Sequence, residues 1–300
     1  MAEKINITFL GTSDSVPSAV RNHPAVLLTY LEENILIDCG EGTQRQFRKA
    51  KRNPCKITRI LITHWHADHV LGIPGLLKTL ALSGYNKTLF IYGPKGTREL
   101  MKNLLNLFGI REKYPLIVKE VSGKFFENEN FSIEAENMTH GIPCNAYKFT
   151  LKGKIRIDKK KLNEIKIPNG PNLRKLKEGK NIYHEGKKYS AKNLTSREED
   201  RIISFVLDTS FNKNIIPFVK NSDILICEST FMPELKTKAK EYLHLTVSQT
   251  AEIATKARVR KLFLTHISQR FSKDLKKVLE EAKKIFKESY LPRDLDVIGV

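Results

Sequence analysis

The chain reads as an α/β protein, and three observations support that class. Short β-branched, apolar runs alternate with longer segments of helical periodicity. Several of those runs are apolar throughout, as expected of buried strands. Histidines and aspartates stand at the ends of the runs, where α/β sheets usually hold ligands.

The elements follow in order. Ile5-Asn6-Ile7-Thr8-Phe9-Leu10 is a first strand, and residues 25–31 and 34–38 form a hairpin. Residues 59–63, Arg-Ile-Leu-Ile-Thr, are a buried strand. Gly72, Ile73 and Pro74 then lead into Leu76, Leu77, Leu80 and Leu82 at helical spacing. A helix is expected over 96–108, a strand over 131–135 and a buried strand over 202–207. A helix over 246–257 and a strand over 261–265 come next. Residues 271–290 read as one amphipathic helix, with Leu275, Val278, Leu279, Ala282, Ile285 and Phe286 on one side. No internal repeat is visible.

The most informative segment is Thr63-His64-Trp65-His66-Ala67-Asp68-His69, on the turn between the 59–63 strand and the following helix. Four potential ligands crowd into it, and such a turn aims neighbouring side chains in different directions. That suits two adjacent ions better than one. Imidazoles with carboxylates and no thiolate favour Zn²⁺ or a similar first-row ion. His140, Asp208 and His266 each follow a strand-like run, and with the heptad they make five histidines and two aspartates. Thr63 and Thr265, each just before a ligand, are placed to orient an imidazole. Trp65 is expected to pack beside the site. His23 reads as a solvated loop residue and His184 as exposed.

Forty per cent of the 300 residues are apolar, enough for a sizeable core in a single domain over 1–300. No stretch is long and apolar enough to cross a membrane, and the start leads directly into a strand, unlike a signal peptide. The four cysteines, at 39, 55, 144 and 227, lack metal-site spacing, so free thiols in a reducing cytoplasm are expected. A net charge of +19 calls for a polyanionic partner. Residues 152–192 concentrate it, with fourteen Lys or Arg against four Asp or Glu. Within them lies Pro168-Asn169-Gly170-Pro171-Asn172-Leu173-Arg174-Lys175-Leu176-Lys177-Glu178-Gly179. Gly-Pro marks a turn there, and its flanks are too polar to build core.

His-x-His-x-Asp-His resembles the signature of the metallo-β-lactamase superfamily. Phe9-Leu10-Gly11-Thr12, Asp38-Cys39-Gly40-Glu41-Gly42-Thr43-Gln44-Arg45-Gln46, Gly72-Ile73-Pro74-Gly75-Leu76-Leu77 and Ile91-Tyr92-Gly93-Pro94-Lys95-Gly96 narrow the likeness. With Cys227-Glu228-Ser229-Thr230-Phe231 and His244-Leu245-Thr246, they resemble the ribonuclease Z family of tRNA 3′-processing endonucleases, from about residue 5 to 272. That family usually has His-Ser-Thr at 244–246 and Gly-Asp-Thr at 207–209, and many members carry lysine where Ala19 stands.

The resemblance implies an αββα sandwich with an inserted basic, flexible tRNA-binding arm, at about 152–195. It implies a zinc-dependent endoribonuclease that cleaves the 3′ trailer from precursor tRNA and leaves a 3′ hydroxyl. It implies two Zn²⁺ per subunit, with Mn²⁺ or another divalent ion as a substitute. His64, His66 and His140 hold one ion, Asp68, His69 and His266 the other, and Asp208 bridges them. Asp68 is also the candidate proton acceptor, and His244 with Glu228 serves the leaving group. Gly170, Pro171, Arg174, Lys175 and Lys177 belong to the arm. A cytoplasmic homodimer, with one subunit's arm serving the other's active site, completes the expectation. Another phosphodiesterase or hydrolase of this fold, and a metal-free tRNA-binding protein, stay open as alternatives.

Overall fold

The computed structural model describes residues 4–111, 113–168 and 170–300, so Asn169 of the Gly-Pro stretch lies outside the described residues. The strands, in chain order, begin with β1 Ile5–Gly11, β2 Ala25–Tyr30, β3 Glu33–Ile37, β4 Arg59–Leu61, β5 Leu89–Gly93 and β6 Leu116–Glu120. β7 Gly123–Glu127, β8 Phe131–Met138 and β9 Cys144–Leu151 come next. Then follow the short β10 Ile155–Ile157, β11 Ile182–His184, β12 Lys187–Tyr189 and β13 Thr195–Arg197. The chain closes with β14 Arg201–Val206, β15 Ile224–Glu228, β16 Lys261–Thr265, β17 Ser289–Tyr290 and β18 Val297–Gly299. One seven-stranded sheet runs β18-β1-β2-β3-β4-β5-β6, and a second runs β17-β16-β15-β14-β9-β8-β7. The chain divides into two compact units, the second made of Asn128–Ser132 and Thr150–Arg201.

In the first unit the two sheets stack face to face. Phe9 of β1 meets Phe263 of β16 with ring centroids 5.8 Å apart, and Tyr92 of β5 meets Phe125 of β7 at 4.8 Å. Tyr147 of β9 donates its hydroxyl to the Ile62 carbonyl at 2.6 Å. Helices cover the outer faces. Leu76, Leu77 and Leu80 of helix Ile73–Leu82, with Phe47 of helix Thr43–Lys49, pack on Leu10, Leu27, Leu36, Ile60 and Ile91. Val247, Ala251 and Ala254 of helix Val247–Lys256, with Val278 and Ala282 of helix Leu275–Ile285, pack on Val206, Leu225, Leu262 and Leu264. The layers are therefore αββα, as expected. Cover on both faces explains why β15 is buried at every residue and why Ile224 to Cys227 read as an unbroken apolar run before Glu228.

Two expectations change. The amphipathic helix spans Leu275–Ile285, not 271–290, because the Asp274 side chain accepts from Lys277 N and starts it, while Phe286 turns extended and ends it. Leu82 is 73% exposed, so it lies off the buried face of its helix.

The second unit holds two small antiparallel ladders, β10 with β13 and β11 with β12. The polar flanks of Gly170 and Pro171 do contribute to a core. Leu162, Ile167, Leu176, Ile182, Ala191 and Leu194 are buried together. Pro171 opens helix Pro171–Lys177, at the first helical position where a missing N–H costs nothing. The six apolar residues are spread over some thirty positions among lysines, so no local window reveals them. Among the described residues no helix is long and apolar enough to cross a membrane.

Leu176 is fully buried in this small core. Leu176→Ala is expected to cost about 2–5 kcal/mol locally. Hydrogen exchange should then quicken between residues 155 and 195 and stay unchanged in β1 to β5. Faster exchange in those strands would show that the small core does not stand by itself.

Candidate metal centre

The polar residues of the first unit collect where its strands end. β3 runs parallel to β4, and β15 runs parallel to both β14 and β16, so register brings the ends within each set level. Val206 pairs with Cys227 and Glu228 with Thr265, so Asp208, Glu228 and His266 emerge side by side. The segment after β4 carries His64 and leads to the short helix Ala67–Val70, which carries Asp68 and His69. His140 follows β8. Asp38, Asp208 and His266 all take positive φ, at 56°, 54° and 55°. A left-handed residue at a strand end turns the backbone sharply and aims the side chain across the sheet edge. It costs on the order of 1–3 kcal/mol when the side chain is not glycine, less for Asp and His, which tolerate this region better. Two glycines let the surrounding loops touch. A Cβ on Gly40 would lie 2.3 Å from the Asp68 carbonyl oxygen, and one on Gly72 would lie 2.1 Å from that of Gly40.

Two groups of side chains that could hold a metal ion result. His64, His66, His140 and Asp208 form one, and Asp68, His69, Asp208 and His266 form the other. Within each, all ligand atoms lie within 4.8 Å of one another. Asp208 is common to both, and is buried. All seven ligands expected from the sequence are thus brought together. A third group, Glu228, His244 and His266, adjoins the second through His266.

The imidazoles are held from behind. His69 Nδ1 donates to Asp38 Oδ2 at 2.7 Å. Asp38 also accepts from Thr63 N at 2.7 Å and from Thr63 Oγ1 at 2.8 Å. Because the Thr63 hydroxyl donates to Asp38, it accepts from His64 Nδ1, 3.0 Å away. Thr230 repeats the device: its hydroxyl donates to Glu228 Oε2 at 2.7 Å and accepts from His266 Nδ1 at 2.8 Å. His140 Nδ1 donates to the Leu243 carbonyl at 3.1 Å. Each bond occupies Nδ1 and leaves Nε2 as the bare nitrogen facing the ligand groups. His66 differs, because its Nδ1 lies 3.1 Å from both His64 Nε2 and His140 Nε2.

The donor set fits a divalent cation. His69 Nε2, His266 Nε2 and Asp208 Oδ1 are buried with no hydrogen-bond partner among the described residues. His69 Nε2 faces Asp208 Oδ2 at 3.3 Å without the alignment of a hydrogen bond. Such atoms are costly to bury unless something else satisfies them. Burial pushes the pKa of His64, His66 and His140 down, which keeps their lone pairs available. Burial also disfavours charge on Asp208, but His266 and His69 outweigh it and hold the carboxyl well below its usual range. At His69 burial opposes the cation, yet Asp208 and Asp38 favour it more strongly, so the position attracts positive charge.

His244 and Glu228 form a separate pair beside this set. His244 Nδ1 donates to Glu228 Oε1 at 3.0 Å. Glu228 is fully buried and also accepts from Thr209 N at 2.7 Å. Burial disfavours the His244 cation, but Glu228 more than compensates and the pKa is pushed up to about 9. His244 precedes the capping box of Thr246 and Gln249, which starts helix Val247–Lys256.

Other expectations sort as follows. Trp65 donates to Thr97 Oγ1 at 3.0 Å and packs against the adjoining helical core. Thr63 meets His64, but the hydroxyl that meets His266 belongs to Thr230, not Thr265, because Thr230 shares the Glu228 carboxylate. His23 is 8% exposed, not solvated: its loop folds back so that Nε2 lies 3.3 Å from the Ser15 carbonyl oxygen. His184 is partly buried in β11 and not fully exposed. Arg174, Lys175 and Lys177 are exposed on helix Pro171–Lys177, with Gly170 and Pro171 at its start. The sequence marks Asp38 as a strand end and the head of a family motif but gives it no role at the site, although a carboxylate closing an apolar run is the signal that picks out Asp208. Nothing near Thr230 in sequence marked its role.

A family profile described as Anti-Pycsar protein Apyc1 matches residues 5–143. The chain is 37% identical to a ribonuclease Z of Oceanobacillus iheyensis, over 99% of this chain and 100% of the relative. It is 35% identical to a ribonuclease Z of Nanoarchaeum equitans, over 97% of this chain and 92% of the relative. Among solved structures, it is similar to human tRNase Z, short form, with a TM-score of 0.71, 26% identity and 98% of each chain covered. It shares its fold with the metallo-β-lactamase fold protein YhfI from Bacillus subtilis, with a TM-score of 0.73, 18% identity, and 99% and 100% of the two chains covered.

Asp38 touches none of the space between the ligand atoms, yet it orients His69. Asp38→Asn is therefore expected to lower affinity for a divalent ion about 10–100-fold. Competition with a chromogenic chelator measures this, and unchanged affinity would leave Asp38 a purely structural role.

Proposed function

The chain belongs to the ribonuclease Z family, and on that premise we propose that it removes the 3′ trailer of precursor tRNA as an endoribonuclease, leaving a 3′ hydroxyl on the tRNA. The observation that carries this reading is the pair of ligand groups sharing Asp208, with the His244–Glu228 pair beside them. A metal-free tRNA-binding protein has no use for seven converging ligands. A phosphodiesterase for small molecules has no use for the exposed cations of the second unit.

His64, His66 and His140 would hold one divalent ion, Asp68, His69 and His266 a second, and Asp208 both. Imidazole and carboxylate ligands without thiolate suit Zn²⁺, with Mn²⁺ as a substitute. When bound, the ions supply an activated water and neutralise the phosphate oxygens. The chain's own groups do the rest. Burial opposes ionisation of Asp68, but His266 and His69 outweigh it and hold the carboxyl well below its usual range, so it stands as an anion that can accept a hydrogen bond from the attacking water, as the candidate proton acceptor must. His244, kept protonated by Glu228, gives a proton to the leaving oxygen. The basic helix Pro171–Lys177 binds the phosphate backbone of the folded RNA and supplies affinity, not chemistry. A cytoplasmic homodimer, with the arm of one subunit serving its partner's active site, belongs to the same reading.

His244→Ala tests the proton donor. Cleavage of precursor tRNA should slow by about 10²–10⁴-fold with bound metal unchanged. An activated aryl phosphodiester, whose leaving group needs no proton, should be affected much less. Equal losses on both substrates would assign His244 to binding or structure.

The combined variant Arg174→Gln, Lys175→Gln and Lys177→Gln tests the RNA reading. Each lost phosphate contact should flatten the slope of log affinity against log salt by roughly 0.7–0.9. KM for precursor tRNA should rise, while hydrolysis of the aryl phosphodiester stays at the parent level. If the parent protein with bound Zn²⁺ left precursor tRNA uncut, the proposed function would fall.

A further inference from the structure

The segment after β17 returns to the first sheet through a tight turn. Phe9 N donates to the Asp296 carbonyl at 3.0 Å, Leu295 N donates to the Phe9 carbonyl at 2.6 Å, and Arg293 N donates to Asp296 Oδ2 at 2.8 Å. Between them stands Asp294, which none of the sequence motifs includes. Its Oδ1 accepts from Thr12 Oγ1 at 2.7 Å. Its Oδ2 accepts from Asn22 N at 2.7 Å and from Gln46 Nε2 at 2.9 Å. Thr12 Oγ1 in turn accepts from Arg21 Nη1 at 2.6 Å. Arg21 is only 6% exposed, so Asp294 is the countercharge it meets across one hydroxyl.

These bonds close both ends of the loop over residues 12–22. Ser13 N donates to the Asn22 carbonyl at 2.9 Å, and Asn22 Nδ2 donates to the Glu41 carbonyl at 2.7 Å. The loop lies against the ligand groups, because Ser13 bridges Ile267, the residue after His266. Its crown is open: Val16 is 44% and Val20 75% exposed. We infer that Asp294 is a positioning residue, which pins the 12–22 loop as a wall beside His266 and so sets how the RNA end is received. The inference rests on the proposed function for its substrate, though not for the latch itself. A carboxylate suits the place because all three of its partners donate. Asparagine has the same shape but offers an N–H₂ where an acceptor is required, which leaves one donor unmet and Arg21 without its countercharge.

Asp294→Asn is compared with the parent protein, both loaded with Zn²⁺. Hydrogen exchange should quicken at residues 12–23 with β14 to β16 unchanged. KM for precursor tRNA should rise about tenfold, with kcat, bound metal and aryl phosphodiester turnover kept within about twofold. Combining it with Arg21→Gln should add little, since both act on one network. Unchanged exchange at 12–23 would overturn the latch, as would additive effects of the two substitutions. A matched fall in kcat on both substrates would overturn it too, by making Asp294 a general support of the fold. Faster exchange at 12–23 in a protein whose parent form does not cut precursor tRNA would support the latch and sink the proposed function alone.

Discussion

The structure depends on keeping imidazoles pointed inward. A histidine ring has two nitrogens, and a ligand site works only if the correct one is bare and correctly aimed. Here four of the five candidate ligand histidines have Nδ1 committed to a partner behind them: Thr63, Asp38, the Leu243 carbonyl and Thr230. Those partners come from the ends of β3 and β4, from the segment before His244 and from the end of β15. The strand ends must therefore stay level, and the parallel register of β14, β15 and β16 keeps them so. The same hydroxyls that orient rings also tie down Asp38 and Glu228, so two carboxylates and two threonines serve four imidazoles, His244 among them.

Electrostatics reinforces this arrangement. Three buried aspartates and a fully buried glutamate gather here, Asp38 and Asp68 from the first sheet and Asp208 and Glu228 from the second. Isolated, they would be expensive to bury as anions. The imidazoles of His266 and His69 hold the Asp68 and Asp208 carboxyls well below their usual range, while burial raises that of Asp38, and the carboxylates in turn favour positive charge at His69, His244 and His266. The electrostatics of the pocket thus favours a cation before any substrate is considered.

Much of this was legible in the sequence, for identifiable reasons. The heptad at 63–69 compresses four ligands into one turn, and His140, Asp208 and His266 each close an apolar run, so all seven could be named from position alone. The unbroken apolar strands gave the α/β class, and the four layers followed from the family resemblance alone. What stayed hidden depends on contacts between residues far apart in the chain. Thr230 meets His266 across 36 residues, and Asp294 meets Thr12 across 282. The core of the second unit joins six apolar residues that no periodicity links. The over-long helix at 271–290 shows the converse failure, since its apolar stripe continues in sequence past the point where Phe286 leaves helical geometry.

The left-handed backbone at Asp38, Asp208 and His266 has a consequence for how this chain can evolve. At Asp38 and His266 glycine would relax the backbone but forfeit buried hydrogen bonds, so stability keeps those side chains. Asp208 is different: its Oδ1 has no hydrogen-bond partner among the described residues, so glycine would relax the backbone and remove an unmet buried acceptor. Selection for catalysis pushes the other way, and the functional sequence sits off the stability optimum at that point of its own centre. A laboratory evolution scheme that screens only for heat resistance is therefore biased toward disarming this protein at Asp208 first.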